Sequence, residues 1–229
     1  MAKTAAKMSR MSSIRLHIER PPRDFVEGLK TLSPTALADM LKLESVMRHL
    51  IRPLWPDMPR IAGPAFTVRT AKHDNLMLHA AIYRAEPGDV IVVEAGDEEM
   101  AVAGGNVCAV AQRHGVAGFV VDGVIRDVAE ARANGFPIFA RGVSPIPGAK
   151  DGPGEINGTI TCGGIKVHPG DVVVADEEGI VVVPRAEAGE VLKKAQAKAA
   201  TDAAESLDVW ERKHRARVES TLQAKGYVP

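Results

Sequence analysis

Apolar and polar positions along this chain follow two rhythms, and each change of rhythm marks an element. Residues 34 to 43 repeat every three to four positions behind Ser33, a good N-cap, with Pro34 in the first helical position. They predict a helix over Pro34–Leu43, on which Asp39 stands beside Ala36, Leu37 and Met40. Residues 44 to 60 hold three prolines and read as a loop with one helical turn. RIAGPAFTVRTA (60–71) reads as a strand, alternating from Ala65 to Ala71. His73-Asp74-Asn75 is a cap for a helix over Leu76–Ala85, with Leu76, Ala80 and Tyr83 on its apolar face and His79 as a structural histidine. Val107, Val110 and Ala111 give helical spacing to Asn106–His114, and Gly115 stops it. Val116 to Val121 is a short β-branched run, as in a strand covered on both faces. Ile180 to Val183 is a last buried strand, stopped by Pro184.

One phrase occurs twice. EPGDVIVVEAGD (86–97) is echoed by HPGDVVVADEEG (168–179), each a Pro-Gly-Asp turn launching an apolar strand that ends in acids and glycine. Two copies are too few for a solenoid, so the expectation is a β-rich core whose strands share a launching turn. Residues 141 to 164 are loop-heavy and are expected to wrap over other elements. Beyond residue 186 the chain is rich in Ala, Lys and Glu. There Leu207, Trp210, His214, Val218 and Leu222 form one narrow apolar stripe. That predicts a long helix ended by Gly226, packed across a subunit boundary.

The chain therefore divides into a tail and lead-in (1–28, broken at Pro21-Pro22), a core (29–185) and a helical extension (186–229). With 229 residues and 45% hydrophobic content, one α/β domain is the expectation. Lys plus Arg equals Asp plus Glu at 29 each, so no global field favours nucleic acid or an anionic membrane. Cys108 and Cys162 lie in apolar or glycine-rich surroundings without metal or redox spacing, and buried free thiols are expected. No apolar run approaches the roughly eighteen residues of a membrane span. Met1 to Ser13 has the basic charge of a transit peptide but a poor apolar face. A disordered basic tail and a cytoplasmic protein are expected.

The chemistry concentrates between Gly104 and Glu130. Gly104 and Gly105 let the backbone approach a ligand where a helix begins, so the N–H groups of Asn106 and Val107 could hold an anion. Arg126 adds a fixed positive fork and Asp127 a hard oxygen ligand. Asp127-x-x-Glu130 before a helical run is also a capping-box pattern, and on local sequence alone the cap is the stronger reading. Arg126, likewise, could be a surface ion-pair partner.

Gly105, twenty residues, Arg126-Asp127, two residues and Glu130 resemble the G-x20-R-D-x2-E/D pattern of the 4-hydroxy-4-methyl-2-oxoglutarate aldolase and RraA-like family. The resemblance runs over roughly residues 30 to 185, through LSPTALADML, HDNLMLHAAIYRAEPGDVIVVEAGD, FARGVSP and HPGDVVVADEEGIVVVP. It implies a layered α/β domain of the swivelling β/β/α type, in homotrimers or hexamers with active sites between subunits. It also implies that Asp127 ligates a divalent cation, Mg2+ or Mn2+, with Glu130 in support. Arg126 and the Gly105-Asn106-Val107 backbone would then bind a small 2-oxo acid, and Asp39 would edge a neighbouring subunit's site. Asn106-Val107 stands where many relatives carry two leucines, a change that backbone binding should tolerate.

The implied reaction is cleavage of 4-hydroxy-2-oxo acids (4-hydroxy-4-methyl-2-oxoglutarate or 4-carboxy-4-hydroxy-2-oxoadipate) to pyruvate, with decarboxylation of oxaloacetate through the same enolate. The base for the C4 hydroxyl is not identified; water at the cation or an acid lent by a neighbouring subunit would serve. A Schiff-base lysine is the competing route, and Lys72 and Lys166, the lysines nearest apolar strands, look like ordinary strand-edge charges. A non-catalytic regulator that binds a ribonuclease is the alternative function. An S-adenosylmethionine methyltransferase is disfavoured, because Gly104-Gly105 lacks the spacing and the following acid of a dinucleotide fold.

Overall fold

One strand, Ile61–Arg69, is shared by two halves of the core. The computed structural model describes residues 13 to 227, so the expected basic tail lies outside the described residues except for Ser13. In chain order the strands are β1 (Ser13–Ile14), β2 (Arg52–Pro53), β3 (Ile61–Arg69), β4 (Val90–Glu94), β5 (Gly118–Ile125), β6 (Ile138–Val143), β7 (Glu155–Ile156), β8 (Ile160–Cys162), β9 (Ile165–Val167), β10 (Val172–Asp176) and β11 (Gly179–Val183). The helices are α1 (Arg23–Lys30), α2 (Pro34–Ala38), α3 (Leu76–Ala81), α4 (Gly105–Arg113), α5 (Val128–Ala133), α6 (Ala188–Ala204) and α7 (Leu207–Ala224).

Strands β3, β4, β5 and β6 are parallel neighbours in register Ala65 to Val90, Val90 to Gly118 and Phe119 to Ile138. The first half of β3 instead pairs antiparallel with β10, Ala62 facing Val174, and β10 continues into the β11 hairpin. The two repeated phrases therefore place their strands beside the same strand, one at each end. Because both faces of β3 are covered, its residues through Val68 are all buried. The predicted alternation fails for that reason, while the strand itself, Ile61–Arg69, lies within the predicted stretch 60–71. Gly63 is required where β3 meets the first repeated turn: a Cβ there would lie 2.1 Å from the Gly88 carbonyl oxygen.

The two Pro-Gly-Asp turns share one construction. Asp89 accepts the Glu86 N–H at 2.8 Å, and Asp171 accepts the His168 N–H at 2.9 Å. Each carboxylate also ties down a distant segment. Asp89 takes a two-nitrogen grip from Arg20 at 2.9 and 2.7 Å, and Asp171 takes the Arg185 N–H at 3.0 Å. Glu19 completes the arrangement by pairing with Arg185, while its carbonyl lies where a Cβ on Gly170 would come within 2.0 Å.

Two apolar clusters result. The larger joins Phe66, Ile91, Phe119, Phe136, Phe139 and Leu78 across the parallel strands, with Phe119 and Phe136 edge-to-face at 4.8 Å. The smaller packs α1, α2 and α6 on β10 and β11 through Leu29, Leu37, Val172, Val181 and Val191. Each fully buried Phe or Leu contributes about 1.5–3 kcal/mol, so the core rests on many such side chains rather than on any one pairing. Cys108 and Cys162 are buried free thiols, as expected. No helix among the described residues is long and apolar enough to cross a membrane.

Several elements depart from expectation. The helix at Pro34 ends at Ala38, with Asp39 as its C-cap. Helix α3 is four residues shorter than predicted and buries Met77, Leu78 and Ala81, leaving Tyr83 exposed. The loop 44–60 contains β2, which pairs with β6. The C-terminal extension is two helices, not one. Glu205 is extended (φ −90°, ψ 125°), and Ser206 caps the second helix by accepting the Val209 N–H. Helix α7 buries none of its residues in this chain, and its stripe of Leu207, Trp210, Val218 and Leu222 is exposed.

Candidate active site

Helices α4 and α5 begin just beyond the C-terminal ends of β4 and β5, the edge of a parallel sheet where ligands ordinarily bind. Gly104, extended at φ −146°, is the N-cap of α4 and makes no side-chain cap. The N–H groups of Asn106 and Val107 have no acceptor among the described residues, so two backbone donors stand free at the helix start. The Gly105 N–H is occupied: it donates to Asp127 Oδ2 at 3.0 Å.

Asp127 adopts a left-handed backbone (φ 57°, ψ 37°), which costs a non-glycine residue about 1–2 kcal/mol. This conformation carries its carboxylate away from the helix it precedes. Asp127 therefore occupies the N-cap position of α5 without capping it, and the capping-box reading fails. Arg126 Nε lies 3.4 Å from the same Oδ2, and Arg126 is anchored by its N–H to the Ala103 carbonyl at 2.9 Å. Asp127 Oδ1 takes no hydrogen bond among the described residues.

The two glycines explain how the carboxylates reach this position. A Cβ on Gly104 would lie 2.4 Å from Asp127 Oδ2, and one on Gly105 would lie 1.8 Å from Glu130 Oε2. The pair forms a cradle that only glycine leaves open. Two hard carboxylates on a helix N-terminus, one with a free oxygen, suit a cation that keeps most of its ligands as water and substrate. Among the described residues no group of three or more His, Cys, Asp or Glu is placed to hold a metal ion.

A small pocket of about 80 Å³ opens on this cradle, lined by Gly104, Asn106, Val107, Arg126, Asp127, Asn75, His79, Pro147 and Lys150 among others. The structure thus brings together Gly105, Asn106, Val107, Arg126, Asp127 and Glu130. Asp39 is not among the pocket's residues; it pairs with Lys198 of α6 at 3.5 Å. Neither Lys72 nor Lys166 lines the pocket, but Lys150 does. Sequence reading missed Lys150 and Asn75 and read His79 as structural. The one signal was the cap phrase His73-Asp74-Asn75, because the residues that start α3 also face the pocket. Burial lowers the His79 pKa, and the charges of Lys150 and Arg126 add to the shift against an opposing Asp74, so the imidazole is neutral at pH 7. The Cys108 thiol is pushed up to about 12, by burial first and then by Asp127, and is no nucleophile.

Fold and site define an α/β protein that presents an Arg-Asp pair to a helix N-terminus at the edge of a parallel sheet. The sequence profile of the RraA-like family, described as Aldolase/RraA, matches residues 34–182, and the chain belongs to that family. A relative from Halalkalibacterium halodurans, provisionally named 4-hydroxy-4-methyl-2-oxoglutarate aldolase, is 43% identical over 79% of this chain and 86% of its own. RraAS2 of Streptomyces coelicolor, described as an unusual member of the RNase ES inhibitor RraA family, superposes with a TM-score of 0.71 at 30% identity, covering 87% of this chain and 99% of that one. A Geobacillus kaustophilus protein described as S-adenosylmethionine:2-dimethylmenaquinone methyltransferase superposes at 0.60 and 29% identity, covering 67% and 95%.

Proposed function

We propose that this chain is a divalent-metal-dependent lyase that cleaves 4-hydroxy-2-oxo acids to pyruvate and also decarboxylates oxaloacetate. The observation that carries the reading is the left-handed Asp127, whose carboxylate is turned onto the Gly105 N–H beside Arg126 instead of capping its own helix. A strained backbone kept at the mouth of a pocket points to function.

A cation, Mg2+ or Mn2+, held through Asp127 and Glu130, would supply Lewis-acid polarisation of the 2-oxo group. The free N–H groups of Asn106 and Val107 bind the C1 carboxylate. A base takes the C4 hydroxyl proton, the C3–C4 bond breaks, and its electron pair passes to the enolate oxygen on C2. Arg126, whose charge and fork are fixed, stabilises that oxygen. Neutral His79 is the pocket's uncharged base, and Lys150 offers a second cation for the far carboxylate. Returning a proton to C3 completes pyruvate. Lys150 is exposed rather than desolvated in an apolar pocket, which favours this electrostatic role over a Schiff base.

The family resemblance and the uncovered stripe of α7 support a homotrimer or hexamer, with Asp39 at a neighbour's site and the β/β/α swivelling arrangement as its protomer. The likeness to RraAS2 favours, as second reading, a protein-binding regulator of a ribonuclease.

Pyruvate release from oxaloacetate and from 4-hydroxy-4-methyl-2-oxoglutarate, with Mg2+ or with EDTA, tests the proposal on wild type and Asp127→Ala. Metal-dependent release that vanishes in the variant is expected. No turnover by a folded, metal-loaded oligomer would transfer the assignment to the regulator.

A further inference from the structure

Lys150 lies in the middle of a strap, residues 146 to 152, that crosses from the segment after β4 to the start of α3. Ile146 and Gly148 bond the two sides of Ala101, through Ala101 N–H to the Ile146 carbonyl at 2.7 Å and Gly148 N–H to the Ala101 carbonyl at 3.1 Å. Two adjacent residues then hold the rest. Asn75 donates its backbone N–H to the Ala149 carbonyl at 2.8 Å and its side-chain amide to the Gly148 carbonyl at 3.2 Å. Asp74 accepts the N–H groups of Asp151 and Gly152, both at 2.8 Å, as well as that of Leu76 at 2.8 Å. Residues 148, 149, 151 and 152 are all gripped, and Lys150 is the ungripped residue between them.

Asp74 is 3% exposed, and backbone donors fill its coordination. Burial alone would raise its pKa; the Gly152, Leu76 and Asp151 N–H groups, with Lys150 nearby, more than reverse this and lower it. A buried carboxylate spent wholly on backbone N–H groups fixes a loop in one shape. Gly152 fits the same design, since a Cβ there would come within 2.9 Å of Asp74 Cγ.

We propose that Asp74 and Asn75 are positioning residues that set Lys150 over the pocket, and that this clamp makes the site selective for 2-oxo acids carrying a second carboxylate. The proposal rests on the lyase reading for the identity of the substrate, not for the clamp itself. Holding the backbone on both sides of Lys150 keeps its ammonium in the same pocket lining as Arg126, which gives an anion a second cation to contact.

A double-mutant cycle tests it. Binding of 2-oxoglutarate, a stable dicarboxylic 2-oxo acid, is measured by calorimetry with Mg2+ on wild type, Lys150→Met, Asp74→Asn and the double variant. KM and kcat for 4-hydroxy-4-methyl-2-oxoglutarate are measured alongside. Asp74→Asn is expected to weaken binding and raise KM about tenfold with kcat within threefold, and to add less than twofold once Lys150 is gone. The Asp151 and Gly152 amides should exchange with deuterium at least tenfold faster in Asp74→Asn. Asn75→Ala, which spares the helix-capping carboxylate, carries the same cycle if Asp74→Asn does not fold. A full tenfold effect in the Lys150→Met background, or a fall in kcat with KM unchanged, overturns the clamp. Absence of turnover with the binding cycle intact overturns the lyase reading and leaves the clamp standing.

Discussion

The Gly105 N–H and the Asp127 carboxylate meet at 3.0 Å, and this contact joins the starts of two helices that follow adjacent parallel strands. It also uses the first helical donor, so that the next two remain for a ligand. Substitution of Gly105 by alanine inserts a methyl 1.8 Å from Glu130 Oε2. The change improves helix propensity by up to about 1 kcal/mol, so the melting temperature should hold or rise slightly while kcat/KM falls at least a hundredfold.

Asp127 pays a conformational penalty that glycine would not. Asp127→Gly should therefore be more stable than Asp127→Ala by about 1–2 kcal/mol in urea unfolding, with both inactive. Equal stability of the two variants would mean that the left-handed backbone is not kept in solution.

His79 titrates below its ordinary range because burial and Lys150 oppose its charge. A depressed histidine favours the folded state above the unfolded pKa of about 6.5, and that contribution is lost as pH falls toward the folded value. Wild type should lose stability between pH 7.5 and 5, and His79→Gln should lose measurably less. Pyruvate release by wild type should stay level near neutrality and decline only on the acid side of pH 6.5.

Much of this arrangement was legible in the sequence, and the failures share a cause. The Pro-Gly-Asp phrase, the glycine pair and the Arg-Asp pair are local signals, and each lies where its pattern placed it. The alternation expected from Ala65 was overridden because other elements, helix α3 and strand β8 among them, pack on β3 and leave it no solvent face through Val68. The capping box failed because one backbone rotation at Asp127 sends the carboxylate to a residue distant in sequence. Lys150 gave no signal because its place depends on Asp74 and Asn75, which hold it from another part of the chain.

The twin turns make a matched pair of stability predictions. Asp89→Ala leaves Arg20 without its two-nitrogen grip and the Glu86 N–H without an acceptor, and should cost about 2–4 kcal/mol. Asp171→Ala removes two backbone acceptor contacts and should cost about 1–3 kcal/mol. Urea titration of both variants checks the order.

Removal of residues 207 to 229 tests the outer helix. Because α7 buries nothing in its own chain, the shortened protein should melt within about 2 °C of wild type when compared as monomers. Sedimentation velocity should show the proposed homo-oligomer for the full chain and its dissociation in the shortened one.

Glu19 and Arg20 lie ahead of every helix described, yet their partners are Arg185, Glu86 and Asp89. During synthesis these two residues emerge before their partners, and both contacts can close only after Arg185 has followed. Contacts of such separation in sequence are slow to form. A chain that starts beyond residue 20 would keep the strands from β2 onward, but it would lose β1 from the sheet edge and the fastening that joins the two turns.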